Sequence, residues 1–159
     1  MACQKITFVT GEIYSVATAL KTMLQLIAAT NVRLRVMEIH IAGKGVVSTY
    51  APALWTVMYQ TNAGTPEGTA TTPVGKKWNQ SNGETVQTTS KAGSAAATTP
   101  WTVEPTASDI VHQEEVHPQG RAVITFGPNG LDVKGGGRLG ICVTDPNSQQ
   151  WNVTALCEE

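Results

Sequence analysis

Apolar and polar residues alternate along most of this chain with the two-residue period of strands that bury one face. VRLRVMEIHIAG, residues 32–43, shows the pattern and one break in it. Val32, Leu34 and Val36 alternate with Arg33 and Arg35; then Met37, Ile39 and Ile41 carry the apolar set against Glu38 and His40. A one-residue slip of phase predicts a bulge, or a strand passing between two packed environments. Further strands are predicted over 53–61 (Trp55, Val57 and Tyr59 on one face), 121–127 (Ala122, Ile124, Phe126), 138–144 (Leu139, Ile141, Val143) and 151–157 (Trp151, Val153, Ala155, Cys157). Turn sequences separate them: FGPNG at 126–130, GGG at 135–137 and TDPNS at 144–148. Residues 15–29 fit two patterns. Ala17, Leu20, Leu24 and Ile27 would line a helix; Thr22, Leu24 and Leu26 alternate against Met23, Gln25 and Ile27 as in a strand. The β pattern after Asn31 favours the strand.

Two stretches stand apart. Residues 62–108 are rich in Thr, Gly, Ser, Ala and Pro and read as a long polar insertion, with Trp78 and Trp101 as anchors. Such a loop is ordered only if something holds it, and a neighbouring subunit is the expected holder. Residues 1–12 read as an N-terminal arm. Its segment ACQKITFV has the alternation, through Ile6 and Phe8, to add a strand to a neighbour's sheet edge. The expected architecture is all-β: one antiparallel, jelly-roll-like β-sandwich over 1–159 with a long ordered loop.

Composition narrows the function. The 159 residues carry a formal net charge of −1, and 14% are charged. No basic face suited to nucleic acid is visible, and the one adjacent basic pair, Lys76–Lys77, reads as a solvated loop. A surface of Thr, Ser, Asn, Gln and Gly suits close packing against other proteins, because little charge must be desolvated. Cys3, Cys142 and Cys157 are odd in number and lack CxxC spacing, so they read as buried thiols. No signal-peptide pattern is present, and the apolar runs are too short to span a membrane. The sequons at Asn79 and Asn152 therefore carry no weight.

Candidate chemistry centres on HQEEVHPQG, residues 112–120. A helical zinc motif places two histidines four apart. Here His112 and His117 are five apart, and strand parity sets His112 with Glu114 and Glu115 with His117. No regular geometry gathers all four, and adjacent glutamates on a strand face opposite ways. The stretch reads instead as a strand end with a structural corner at His117, Pro118 and Gly120. GGGRLG, residues 135–140, matches the dinucleotide spacing, yet a strand follows it rather than a helix, so it reads as a glycine-rich turn. No nucleophile elbow or phosphate loop occurs. No catalytic, cofactor or metal site is expected, and the chain does not read as an enzyme.

LKTMLQLIAATNVRLRVMEIHIAGKG, WTVEPT (101–106), EEVHPQG (114–120), GGGRLGICVT (135–144) and NVTALCEE, in that order, resemble small virion structural proteins of tailed bacteriophages, of the capsid decoration or cement type. The resemblance covers most of the chain, excluding the first ten residues or so and the middle loop. It departs at Arg121, where another glycine is expected. It implies an all-β domain that assembles with itself on the outer surface of a head, and a homotrimer is expected because it would match the three-fold positions of such a lattice. There it would bridge major capsid subunits. Ile6, Phe8, Trp78 and Trp101 are the expected interface residues. Trp78 and Trp101 serve equally to pin the loop to its own domain. The alternative is a carbohydrate-binding module of a tail or surface appendage, with Trp78 beside Asn79 and Gln80, or Trp151 beside Asn152, as the sugar platform.

Overall fold

The computed structural model describes residues 4–15, 19–44, 51–66, 72–78, 85–93 and 101–159. The strands are β1 (Lys5–Tyr14), β2 (Lys21–Ile27), β3 (Leu34–Lys44), β4 (Ala53–Gln60), β5 (Thr65–Pro66), β6 (Lys76–Lys77), β7 (Thr89–Ala92), β8 (Trp101–Val103), β9 (Ala107–Val116), β10 (Arg121–Thr125), β11 (Leu131–Val133), β12 (Arg138–Thr144) and β13 (Gln150–Glu158). All pair antiparallel. A six-stranded sheet runs β10-β3-β13-β1-β6, with β11 also on β3. A five-stranded sheet runs β7-β2-β12-β4-β9, and β5 pairs with β8 in a short ribbon. The chain changes sheet at each step from β1 to β4, places β6 in the six-stranded sheet and β7 and β9 in the five-stranded one, then crosses to β10 and β11, back to β12, and again to β13.

The inner faces of the two sheets form one apolar core. The alternation of β13 is complete: Trp151, Val153, Ala155 and Cys157 are buried and the residues between are not. Trp55 and Trp151 meet edge to face with centroids 5.1 Å apart. The phase slip in β3 is a bulge at Met37: Glu38 pairs with Leu156, Val36 with Cys157, and Met37 is the extra residue between. On the other side of β3, β11 pairs with Leu34–Val36 and β10 with Glu38–Ala42, so the bulge lies where one partner gives way to the next. Phe126 N–H donates to the Met37 carbonyl there. Residues 21–27 form a strand, in line with the alternation.

The N-terminal segment is not an arm. β1 lies inside the six-stranded sheet, between β13 and β6 of the same chain, and Ile6 and Phe8 are fully buried. The alternation does add a strand to a sheet edge, but that sheet is its own. Burying each of these side chains contributes roughly 2 kcal/mol, a gain an arm reaching for a neighbour would forfeit in the isolated chain.

The described parts of the insertion are likewise held by the chain itself. β6 extends the six-stranded sheet and β7 the five-stranded one. The segment around β8 packs on the five-stranded sheet at β2, and on the outer face of β2 and β4 Thr22, Gln25, Thr56, Met58 and Gln60 are all buried. Trp101 donates its indole N–H to the Thr22 carbonyl, Thr22 N–H donates to Glu104, and Gln25 Nε2 donates to the Asn62 carbonyl. Gln25 also donates to Gln60 at 2.7 Å, and Gln60 to Thr22 at 3.0 Å. This network has space because residue 140 is glycine: a Cβ there would overlap the Gln60 amide. At the opposite rim the Glu159 carboxylate accepts the N–H groups of Gln87 and Thr88. Lys76 and Lys77 lie in a strand, not a loop.

Candidate interface and binding groove

HQEEVHPQG ends β9 and turns the chain from one sheet to the other. Gly120 N–H closes the turn on the His117 carbonyl at 2.7 Å, and Gln119 N–H donates to His117 Nδ1. Gly43 N–H donates to the Gly120 carbonyl, and a Cβ at residue 43 would collide with the Pro118 carbonyl. His117, Pro118 and Gly120 thus form a sharp corner seated on the end of β3. Upstream, strand parity places His112 and Glu114 together, Nε2 to Oε2 3.5 Å apart, with the His112 ring edge-on to Phe126. Both are opposite core-facing residues of β4, Val57 and Trp55. Charge turned inward on an edge strand discourages pairing with a stray strand. Among the described residues no three His, Cys, Asp or Glu side chains group to hold a metal.

The cysteines within the described residues are core groups. Burial pushes the Cys142 thiol up to about 12, and burial followed by the Glu159 charge raises Cys157 further. Cys3 lies outside the described residues.

The tryptophans divide into buried and exposed. Trp101, 4% exposed, pins the insertion to its own sheet and is not presented to a neighbour. Trp151 is fully buried, so it is no sugar platform. Trp78 is 60% exposed. Its backbone N–H donates to the Lys5 carbonyl, its indole N–H donates to Thr7 Oγ1 at 2.6 Å, and the Lys5 ammonium lies 5.7 Å from the ring centroid. Asn79 and Gln80 lie outside the described residues.

Trp78 stands at one side of the outer face of the six-stranded sheet. Registered residues on an antiparallel sheet share a face. One row across four strands is Val9, Thr154, His40 and Val123; the next is Thr7, Leu156, Glu38 and Thr125. Val9 and Val123 are about half exposed. Leu156 and Met37 help line a shallow cleft of about 150 Å³ beside Trp78. Charge is concentrated at the ends of this face: Lys5, Glu158 and Arg35 at one, Lys44, Glu12 and Arg121 at the other. Within it, Glu38 and His40 pair at 3.0 Å. Exposed apolar side chains on the flanking strands, a polar pair between them and a charged rim suit a modest protein-binding face.

A second feature went unseen in the sequence. At one end of the sandwich a groove of about 550 Å³ opens between the approach to β3, the ends of β4 and β11, and the starts of β9 and β12. Tyr59 donates its hydroxyl to the Asp132 carbonyl at 2.8 Å. Burial, and then the Asp132 charge, raise that hydroxyl above the ordinary phenol value. The Asp132 carboxylate lies between Arg33 and Arg35 at 3.7 and 3.6 Å. Arg138 donates to the Thr61 carbonyl, and Ser108 to Asp109. Gly136, at φ 74°, makes the glycine-rich turn that forms part of the wall and leads into β12. The only hint of this wall in the sequence was that turn.

Comparison of the chain with protein-family models, with curated proteins and with solved structures finds no match.

Proposed function

We propose that this protein is a virion structural protein of the capsid decoration type. It docks on the outer surface of an icosahedral phage head and bridges major capsid subunits. One observation carries the reading: the outer face of the six-stranded sheet exposes Trp78, Val9 and Val123 between charged ends, while the outer face of the five-stranded sheet is buried along β2 and β4 and open along its edge strand β9, where Ile110 is exposed. The low charge density of the surface and the resemblance of the five segments to cement proteins support it. We also read the connectivity as jelly-roll-like, since eight long strands alternate between two sheets with one step, β4 to β9, inside a sheet. The docking surface is therefore a sheet face, not the buried Ile6, Phe8 or Trp101. Each contact is modest, and a homotrimer multiplies three of them through effective concentration.

The test is co-sedimentation of the purified protein with shells assembled from the major capsid protein of its virion. Saturable binding is expected at a fixed ratio to the capsid lattice. Trp78→Ala and Val123→Asp should each weaken it by about tenfold or more while leaving the fold intact. Absence of saturable binding, or binding untouched by both substitutions, overturns the reading.

A further inference from the structure

The end groove is built differently from the docking face, and we infer that it binds a saccharide. Its volume, about 550 Å³, lies in the range that holds a ligand of a few rings. Its lining mixes opposite hydrogen-bonding characters at close quarters. Arg33, Lys134 and Arg138 are pure donors, and the Asp109 and Asp132 carboxylates are pure acceptors. A phosphate or other compact anion would face two carboxylates. The backbone donors of the glycine-rich turn are also engaged, Gly136 N–H with Ala28 and Ala29 carbonyls and Gly137 N–H with the Lys134 carbonyl. A cation would face three basic side chains. A polyol suits both characters, because each hydroxyl donates one hydrogen bond and accepts others, and neighbouring hydroxyls can bridge a guanidinium and a carboxylate.

Two details favour this class. Tyr59 supplies an aromatic wall, and its hydroxyl is fixed on the Asp132 carbonyl, which sets the ring in place before a ligand arrives. Arg138 is less exposed than Arg33 and Lys134, and its Nη1 donates to the Thr61 carbonyl at 3.3 Å, so the groove holds a cationic donor on a partly anchored side chain. The acids are exposed at the mouth, while Arg138 lies deeper.

The site is at an end of the sandwich and the docking face is on its side, so this inference does not rest on the capsid reading.

The experiment is retention of the full chain on immobilised oligosaccharides of three kinds: neutral hexose oligomers, uronate-containing oligomers and N-acetylated amino-sugar oligomers. Amide NMR spectra titrated with the retained sugar then locate the site. Retention on at least one kind is expected, with shifts at Tyr59, Asp109 and Arg138. Asp109→Ala and Lys134→Ala, both at exposed positions, should weaken it about tenfold with unchanged thermal unfolding. Trp78→Ala should leave it unchanged. No retention at millimolar sugar overturns the inference. So does retention abolished by Trp78→Ala but untouched by Asp109→Ala, which would place the sugar on the sheet face.

Discussion

Asp145 is the most exacting test of the packing described above. It is fully buried and sits in the TDPNS turn between β12 and β13. Oδ2 accepts from Ser15 Oγ at 2.5 Å, Trp151 Nε1 at 2.8 Å and, more weakly, Gln149 N–H at 3.4 Å; Oδ1 accepts from Asn147 N–H at 2.8 Å. A buried carboxylate persists only when donors converge on it in this way. In Asp145→Ala the four donors fare differently. Ser15 retains the Gln149 carbonyl and Gln149 N–H retains Ser15 Oγ, each at 3.0 Å. Asn147 N–H is near solvent and loses a turn-closing bond, about 1 kcal/mol. The Trp151 indole N–H has no other partner among the described residues and is stranded in the core, about 2 kcal/mol. The expected loss is about 3 kcal/mol in urea unfolding with an unchanged slope. Asp145→Asn, which retains one carbonyl oxygen, should cost less. Trp151→Phe removes the stranded donor, so the two substitutions combined should cost about 1 kcal/mol or more less than their sum. A loss below about 1 kcal/mol, or strict additivity of the pair, would refute the reasoning.

Three further outcomes follow from the same structure. Burial, outweighing the Thr22 and Lys21 contacts, raises Glu104 above its ordinary 4.5, so the folded state holds that proton more tightly than the unfolded chain. The stability it contributes is present below 4.5 and lost as pH rises through the higher folded value. Glu104→Gln should therefore flatten the stability–pH curve above 4.5, and an unchanged slope would contradict the assignment. Gly140→Ala should expel the Gln60 amide, break its bonds to Gln25 and Thr22, and cost about 2 kcal/mol by thermal or urea unfolding. In a Cys3→Ser background no thiol should react with a disulfide reagent at pH 8 in the native protein, because Cys142 and Cys157 are buried with raised values; both should react in guanidinium.

The strands were legible wherever one face is buried and the other wet. β13 is the clearest case, and the phase slip in 32–43 marks the β3 bulge, although Met37, grouped with Ile39 and Ile41 by the alternation, is the bulged residue and not part of the core. β2 was ambiguous for a physical reason. Thr22 to Leu26 are buried without a break, since the insertion packs over that strand, and full burial erases a period of two. The insertion hid its own strands because two to four residues are too few to show a period. Ile6 and Phe8 illustrate a different limit. Alternation states that a strand will join a sheet edge but not whose edge, and here the chain's own sheet takes it. The corner at His117, Pro118 and Gly120 was readable because proline and glycine act locally. The groove was not, since Arg33, Tyr59, Asp109, Asp132 and Arg138 come from five separated segments and share no spacing. Trp78 and Trp101, equal in the sequence, differ because the Trp101 indole is buried against the Thr22 carbonyl, while the Trp78 indole lies on the sheet surface against Thr7 Oγ1.

A cryo-electron microscopy reconstruction of shells saturated with the protein reveals which face meets the shell. The expected density is sandwich-shaped and in three-fold clusters, with the outer face of the six-stranded sheet, including Trp78, Val9 and Val123, seated on capsid subunits. Density seated by any other face, with that sheet turned to solvent, or shells bare of the protein at saturating concentration, would contradict it.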